Sequence, residues 1–254
     1  MKIASWNVNS LNVRLPHVLA WLDVHQPDVL ALQETKLTDD RFPVEEIAEL
    51  GYQSAYSGQK TYNGVAVLSR QQPLDPVTDI DGLDDPQRRI LAVTVADVRV
   101  INLYVVNGKE VGSDKYDYKL HWLAQVTRFV ESQLAVHDKL VVLGDFNITP
   151  DDRDVHDPDA WRDKILCSTA ERDALDKMLA LGLSDTFRLF DQEPGIWSWW
   201  DYRMAAFRRK MGLRIDLVLA SAALTEHCTA SYIDIEPRRQ ERPSDHAPAV
   251  AEFD

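Results

Sequence analysis

The chain has 254 residues, of which 45% are hydrophobic and 27% are charged, and its formal net charge is −13. These shares are ordinary for a globular protein, and a single fold of this length buries roughly 75% of its extended surface without disulfide staples. The negative charge argues against non-specific binding of polyanions by the whole surface. It does not exclude an enzyme that acts on nucleic acid, because the local potential at a site decides binding.

The cysteines and the hydropathy pattern indicate a soluble, cytoplasmic protein. The only two cysteines, Cys167 and Cys228, lie far apart without the spacing of a metal site, so free thiols in a reducing compartment are the simplest interpretation. The first residues enter a strand at once, and no segment has the pattern of a signal peptide, a transit sequence or a membrane span. We therefore expect no membrane partner.

The first part of the chain alternates between strand-like and helix-like patterns. Alternating residues predict a strand over 2–8, and helical spacing predicts a helix over 14–25 with Asn12 as the candidate cap. The continuous apolar run over 29–33 predicts a strand covered on both faces. A short helix is predicted over 44–50.

The later elements mix strands and helices in the same way. Three apolar runs, over 65–69, 90–95 and 98–106, predict successive strands of an antiparallel sheet. The other predicted elements are a long helix over 117–136, a buried strand over 140–144 and a helix over 171–181 that Gly182 ends.

The chain carries no linker, repeat or low-complexity tract. Its longest irregular stretch, over 151–163, is acidic and predicts a surface loop. One domain over residues 1–254 is the simplest interpretation, with two sheets packed face to face and helices outside.

Four carboxylates stand beside strand-like runs. Glu34 follows the run over 29–33, Asp145 follows the run over 140–144, Asp216 opens a further apolar run, and Asp245 is joined to His246. Carboxylates at strand ends converge on one edge of a sheet, and several of them with an imidazole make a hard-metal site with a base beside it. This equipment is typical of an enzyme that cleaves phosphodiesters.

Amides accompany the carboxylates. Asn7 and Asn9 share one side of the first strand, and Asn147 shares one side of a strand end with Asp145, so a base and an amide donor can face the same phosphate. Taken alone, an asparagine near a strand end is usually a turn residue. A single histidine such as His246 is likewise more often structural, so these residues gain meaning only together.

Five separated blocks resemble the exonuclease III/AP endonuclease family of the endonuclease–exonuclease–phosphatase superfamily. They are Asn7, Gln33-Glu34-Thr35, Gly144-Asp145-Phe146-Asn147, Arg214-Ile215-Asp216 and Ser244-Asp245-His246-Ala247-Pro248. The match runs from residue 3 to residue 253 and resembles bacterial exonuclease III closely. The resemblance implies an α/β fold, a four-layer sandwich of two packed mixed or antiparallel β-sheets flanked by helices.

The resemblance also implies the roles of the site residues. Glu34 would bind the divalent metal, and the implied metal set is Asn7, Glu34, Asp145, Asn147 and Asp245. The implied catalytic set is Tyr104, Asp145, Asn147, Asp216 and His246, in which Asp216 orients His246. Whether Asp145 or His246 is the general base stays open. Ligand hardness favours Mg²⁺, although Mn²⁺ fits the same oxygens.

The implied substrate is double-stranded DNA with abasic sites or 3′ ends, bound by a monomer. In the family, the positions of Trp199, Leu213 and Ile215 form an apolar pocket that admits a deoxyribose without its base, once the nucleotide has swung out of the helix. The implied DNA-binding residues are Arg203, Arg208, Arg209 and Lys210. Arg88 and Arg89 are expected to contact the opposite strand.

Two departures and several alternatives remain at this point. Val106 stands where many relatives have proline, and Asn9 stands where some carry aspartate. The superfamily also contains deoxyribonuclease I, inositol polyphosphate phosphatases and sphingomyelinases. A catalytically silent DNA-binding module would lack Glu34, Asp145, Asp216 or His246, and all four are present. Among the nuclease activities, abasic incision is expected to lead, with 3′-end processing as its companion.

Overall fold

The computed structural model describes residues 1–254 and places twelve strands in two six-stranded sheets. The strands are β1 (Lys2–Asn7), β2 (Val29–Gln33), β3 (Gln53–Ser57), β4 (Val65–Ser69), β5 (Leu74–Val77), β6 (Ile90–Val95), β7 (Val98–Tyr104), β8 (Leu140–Asp145), β9 (Leu183–Asp185), β10 (Asp216–Ser221), β11 (Cys228–Ile233) and β12 (Ala249–Phe253). The helices are α1 (Leu11–His25), α2 (Val44–Ala48), α3 (Asp114–Leu134), α4 (Pro158–Trp161), α5 (Thr169–Leu179) and α6 (Ala222–Thr225).

The two sheets repeat one strand arrangement. The first sheet has the order β11-β12-β1-β2-β4-β3, and the second has the order β5-β6-β7-β8-β10-β9. Each contains one parallel pair, β1 with β2 and β7 with β8, while all other neighbours are antiparallel. The carboxyl ends of the two central pairs therefore lie at corresponding places in the two sheets.

Alternation of apolar side chains along the strands builds three core layers. One face of each sheet packs against the other sheet, through residues such as Val29 and Val141. The outer face of the first sheet packs on α1, where Val18 and Leu22 point inward, and the outer face of the second packs on α3 and α5. The predicted four-layer α/β sandwich is confirmed. None of the helices combines the length and hydropathy needed to span a bilayer.

A polar bridge crosses the apolar layer between the sheets. The Gln33 amide nitrogen donates to Asn102 Oδ1 at 2.8 Å, and the Asn102 amide nitrogen donates to the carbonyls of Leu32 and Ala66, each at 2.9 Å. Gln33 and Asn102 are both fully buried. These bonds satisfy most of the polar atoms and tie β7 to β2 and β4.

Three local predictions were wrong. Residues 65–69 do not share a sheet with 90–95 and 98–106, because β4 pairs with β2 in the first sheet. An apolar run records burial but not which sheet receives it. Asn12 lies inside α1, which begins at Leu11 after Ser10.

The stretch over 151–163 is more ordered than a surface loop. It contains the short helix α4, and its Asp154 is buried and bonded to Arg214. An acidic run with one proline gave no sign of this pairing, because the partner is distant in sequence.

Candidate active site

The ends of the two parallel strand pairs bring the first site residues together. Asn7 ends β1, and Glu34 follows β2, its backbone in the left-handed region at φ +52°. In the second sheet, Tyr104 at the end of β7 is paired in register with Asp145 at the end of β8. Each sheet thus contributes half of the site.

The Asn7 side chain joins the two halves. Its amide nitrogen donates to Glu34 Oε1 at 3.0 Å and to Asp145 Oδ2 at 2.9 Å, while its oxygen accepts from the Asn9 backbone at 3.0 Å. Asn7 is fully buried, so its two donors hold carboxylates of both sheets at a fixed separation.

The turn after β8 places Asn147 beside Asp145. Asn147 adopts φ +50°, a conformation that asparagine tolerates better than most residues. Its backbone N–H donates to Asp145 Oδ1 at 2.9 Å, and its amide donates to Asp145 Oδ2 at 3.2 Å and to the Val105 carbonyl at 3.0 Å. The amide oxygen accepts from Asn107 at 3.0 Å. Both oxygens of Asp145 are therefore oriented before any substrate binds.

Asp216 and His246 form a buried pair. His246 Nδ1 lies 2.9 Å and 3.1 Å from the two Asp216 oxygens, so Nδ1 carries the proton. On the opposite side of the ring, His246 Nε2 faces the Asp145 carboxylate and lies 3.7 Å from its Oδ2. The hydroxyl of Ser198 accepts from the backbone N–H of Asp216 at 3.0 Å and helps to fix the strand end.

Burial and close carboxylates move the pKa values of this group in opposite senses. Burial alone would lower the pKa of His246, but the carboxylates of Asp216 and Asp145 outweigh it and raise this pKa to about 10. Burial raises the pKa of Asp145 to about 7, with Asp216 and Glu34 adding to the rise and the His246 charge opposing it. At neutral pH, His246 is therefore cationic, and it lies beside Asp145, whose carboxyl group ionises less readily than usual.

Asp245 and Lys36 complete the polar rim. Asp245 accepts from the Asn9 amide at 2.9 Å and from the Trp199 indole N–H at 3.0 Å. Although burial opposes the charged form, His246 and these donors lower the pKa of Asp245. Lys36 Nζ lies 2.9 Å from Glu34 Oε2.

The donor set suits a hard divalent cation. The candidate ligand atoms of Asp145, Asp216 and His246 all lie within 4.8 Å of one another, but a cationic His246 has no free lone pair, so the carboxylates are the candidate ligands. Glu34 is linked to Asp145 through Asn7. Burial is the main cause of the raised pKa of Asp145, and the nearby charges of Asp216 and Glu34 add to it. Carboxylate and amide oxygens are ligands that Mg²⁺ accepts. The residues present therefore fit a metal of this kind.

Tyr104 is held as a neutral phenol. Burial, with the Glu34 and Asp145 carboxylates beside it, raises the pKa of Tyr104 well above its usual value. The Arg89 guanidinium lies over the ring, 4.5 Å from its centroid, and donates to the Tyr104 carbonyl at 3.2 Å. Arg89, expected to contact DNA, thus packs on an active-site residue, and Arg88 pairs with Asp79 at 3.1 Å.

A cavity of about 540 Å³ joins the polar groups to an apolar wall. Trp199 and Ile215 line this catalytic cavity, whereas Leu213 is fully buried behind them and pairs with Trp199 through backbone hydrogen bonds. The lining residues are Glu34, Tyr104, Asn107, Lys109, Asp145, Asn147, Trp161, Ile165, Leu166, Trp199, Asp201, Arg203, Ile215, Asp245 and His246.

Several lining residues escaped sequence reasoning. Trp161, Ile165 and Leu166 extend the apolar wall, and Lys109 adds a positive charge. Leu166 adopts φ +72°, rare for a branched residue; its N–H donates to Glu171 at 3.1 Å and its carbonyl accepts from Thr149. The only sign of these wall residues in the sequence was the apolar pair Ile165-Leu166 within a polar segment.

The predicted basic residues do not all line the catalytic cavity. Arg203 lines the catalytic cavity, Arg208 and Lys210 line a different cavity, and Arg209 is exposed without lining either. Arg214, part of the same basic run, is fully buried. It bonds to Asp154 at 2.6 Å and to Asp185 at 2.7 Å, and it lies 4.7 Å from the Phe187 ring centroid. Arg214 is therefore a structural residue.

The fold and the site define a known class of hydrolase. Residues 4–246 match the Endonuclease/Exonuclease/phosphatase family, and the chain belongs to this family. The chain is 36% identical to exodeoxyribonuclease III of Haemophilus influenzae, and the match covers 100% of both chains. The family resemblance read from the sequence is confirmed, and with it the class of nuclease enzymes.

Solved structures add closer likenesses. A 3′-5′ exonuclease of Neisseria meningitidis, NExo, is 51% identical with a TM-score of 0.98, and the match covers 100% of each chain. A Neisseria structure titled as a 3′ phosphatase bound to product DNA hairpin is 50% identical with the same TM-score, covering 100% of this chain and 99% of that one. An AP endonuclease of Archaeoglobus fulgidus is 38% identical with a TM-score of 0.95, again covering 100% and 99%.

Proposed function

We propose that this protein is a DNA repair nuclease that hydrolyses phosphodiesters at 3′ ends of duplex DNA and on the 5′ side of abasic sites, with Mg²⁺ as its cofactor. One observation carries the proposal: Asp145 and His246 share a single cavity with the apolar wall of Trp199 and Ile215. A phosphate fits against the polar groups while a terminal or baseless deoxyribose fits against the wall. A paired nucleotide does not reach this wall unless it leaves the stack.

The cation would be held by Glu34 and Asp145, with Asn7, Asn147 and Asp245 close by. When bound, it supplies positive charge to the phosphate oxygens on which negative charge develops. Mn²⁺ fits the same hard oxygens. The crowding of buried carboxylates supports a cation at this place. Burial beside Asp216 and Glu34 raises the pKa of Asp145, and a bound cation would offset the repulsion among these groups.

The chain's own residues divide the remaining work. His246, kept cationic by Asp216, contacts the scissile phosphate through Nε2 and stabilises its added charge. Asp145 accepts the proton of the attacking water, because its carboxylate lines the cavity and is held in place by the Asn7 and Asn147 amides and the Asn147 backbone. Tyr104 is a donor placed to hold a phosphate oxygen, whereas Asn147 donates both amide hydrogens within the protein and can accept a hydrogen of the water through its amide oxygen. A histidine that stays protonated is a poor base, which favours Asp145 over His246.

The relatives support both activities but not equally. The two Neisseria structures, at 50% and 51% identity, are both of NExo and are described by 3′-end chemistry, so removal of nucleotides or phosphate from 3′ ends is the leading activity that we propose. Abasic incision is the second, supported by the apolar wall and by the Archaeoglobus AP endonuclease at 38% identity. We also propose that the protein acts in the cytoplasm, where thiols such as Cys167 and Cys228 stay reduced.

The test is cleavage of three labelled duplexes: one with a recessed 3′ end, one with a 3′ phosphate and one with a single central abasic site. Each is incubated with Mg²⁺ or with EDTA, beside the His246→Ala variant. We expect metal-dependent products that disappear in the variant, with the 3′ substrates processed fastest.

The outcomes separate the parts of the proposal. If only the two 3′ substrates give products, abasic incision is removed from the proposal, and the role of the apolar wall is to hold terminal sugars. Incision of the abasic duplex alone would reverse the ranking. No metal-dependent product from any duplex would overturn the proposal, and phosphoinositides would be tested next.

A further inference from the structure

A second cavity is lined in part by the loop over residues 201–212, which also carries Asp201 and Arg203 of the catalytic cavity. Its volume is about 640 Å³, and we name it the loop cavity. The lining residues are Gly195, Ile196, Trp197, Trp200, Phe207, Arg208, Lys210, Ile233, Ile235 and Arg239. None of them lines the catalytic cavity, so the loop cavity is a separate concave site.

The wall of the loop cavity is aromatic and firmly built. Trp200 is buried, and its ring meets the Phe207 ring edge-on, with centroids 5.0 Å apart. Gly212 makes this packing possible: a Cβ there would lie 2.5 Å from Trp200 Nε1 and 2.8 Å from Trp197 Cβ. Trp197 and Phe207 remain partly exposed. The Arg238 and Arg239 guanidinium groups lie over the Phe207 ring, 5.1 Å and 5.9 Å from its centroid, so Trp197 presents the aromatic face that is open to a flat ligand.

The rim of the loop cavity is positive in a chain whose net charge is −13. Arg208 and Lys210 are exposed and form no ion pair within the chain. Arg239 pairs only with the exposed Glu236, at 3.1 Å. Aromatic faces beside unpaired cations are the combination with which proteins hold unpaired nucleotides, the base stacking on a ring and the phosphate meeting a cation.

The loop itself connects the two cavities. Arg203, near its beginning, lines the catalytic cavity, whereas Arg208 and Lys210, a few residues later, line the loop cavity. Because one loop lines both cavities, we expect one DNA end to reach both. A recessed 3′ end presents two strands at this place: the terminus to be processed and the unpaired template beside it.

We propose that the loop cavity binds an unpaired nucleotide of the template strand beside a recessed 3′ end. The inference rests on the proposed action at 3′ ends and predicts that a recessed end is bound more tightly than a blunt one. An acidic peptide with an aromatic residue would satisfy the same charges, but the shared loop favours a strand that enters the active site.

The experiment compares the affinities of one duplex with a 5′ overhang and one that is blunt, both measured by fluorescence anisotropy in EDTA so that no cleavage occurs. We expect the wild-type protein to bind the overhang duplex about tenfold more tightly, the size of one base-stacking contact. Arg208→Ala and Trp197→Leu should each remove most of this preference. Arg209→Ala is the matched control. It removes the same charge from the adjacent residue, which does not line the cavity, and should change the affinities for both duplexes equally.

The results distinguish failure of the inference from failure of the proposed function. Equal affinity for both duplexes in the wild type, or equal effects of Arg208→Ala and Arg209→Ala, would overturn the inference while the blunt duplex is still bound and cleaved. If neither duplex is bound nor cleaved in Mg²⁺, the proposed function itself fails. The inference would also be overturned if a peptide of alternating Asp and Phe bound through Arg208 without competing with the overhang duplex.

Discussion

Replacing Asp216 with asparagine tests how the site keeps His246 charged. Both side chains are at most 4% exposed, and His246 Nδ1 lies 2.9 Å and 3.1 Å from the two Asp216 oxygens. A hydrogen bond to a buried charge contributes about 1.5–3 kcal/mol, and about 1.4 kcal/mol corresponds to one pH unit. Asp216→Asn should thus lower the pKa of His246 from about 10 by about one to two pH units.

The measurement is a pH titration of the histidine ring protons by NMR in metal-free protein. The chain has seven histidines, so His246→Ala assigns the resonance. We also expect the turnover rate to fall by about 10²- to 10⁴-fold, since the imidazole loses its orientation and part of its charge. An unchanged pKa in Asp216→Asn would refute the reasoning and assign the raised pKa to Asp145 and Asp245.

The same substitution makes a prediction about stability. A histidine with a raised folded-state pKa stabilises the fold fully below its unfolded value of about 6.5, and this stabilisation is lost as the pH rises through about 10. The stability deficit of Asp216→Asn should therefore be larger at pH 6 than at pH 9.5 in urea unfolding. Equal deficits at the two pH values would contradict this assignment.

Three further changes probe other parts of the site and its support. Glu34→Gln should raise the Mg²⁺ concentration needed for half-maximal cleavage by at least about tenfold, because one charged oxygen ligand is lost; unchanged Mg²⁺ binding in calorimetry would remove Glu34 from the metal site. Trp199→Phe keeps the apolar wall but not the indole donor to Asp245, so it should retain more abasic incision than Trp199→Ala; equal losses would show that the hydrogen bond alone matters. Asp154→Asn should lower the free energy of unfolding by about 1.5–3 kcal/mol, since the buried Arg214 guanidinium keeps Asp185 but loses one charged acceptor, whereas the exposed Asp152→Asn should change it by less than about 0.5 kcal/mol.

Much of the fold could be predicted because burial leaves a local trace. Apolar runs such as 29–33 and 140–144 are buried strands in the structure, and the helical spacing of 14–25 lies within α1. The partition of strands between sheets could not be predicted, because pairing of β4 with β2 depends on distant residues. The same holds for Asp154 and Arg214, which resemble ordinary surface charges until folding brings them together.

The polar groups of the active site were easier to predict than its walls. Glu34 and Asp145 stand directly after apolar runs, so their position at a sheet edge follows from the chain itself. Leu166, by contrast, reaches the cavity from an irregular segment in a left-handed conformation that no local pattern indicates. The division of Arg203 and Arg208 between two cavities likewise depends on the path of one loop.

The polar bridge between the sheets acts as a spacer for the reaction centre. Gln33 immediately precedes Glu34, and Asn102 lies two residues before Tyr104, so the bridge sits just beneath the place where the two half-sites face each other. The Gln33 and Asn102 amides set the distance between the two sheets at this edge, while aliphatic side chains of varied size fill the layer between the sheets farther from it. The sandwich can therefore be repacked far from the edge without changing the distance across which Asn7 reaches both carboxylates. Fold stability and catalytic alignment are, in this molecule, adjustable separately.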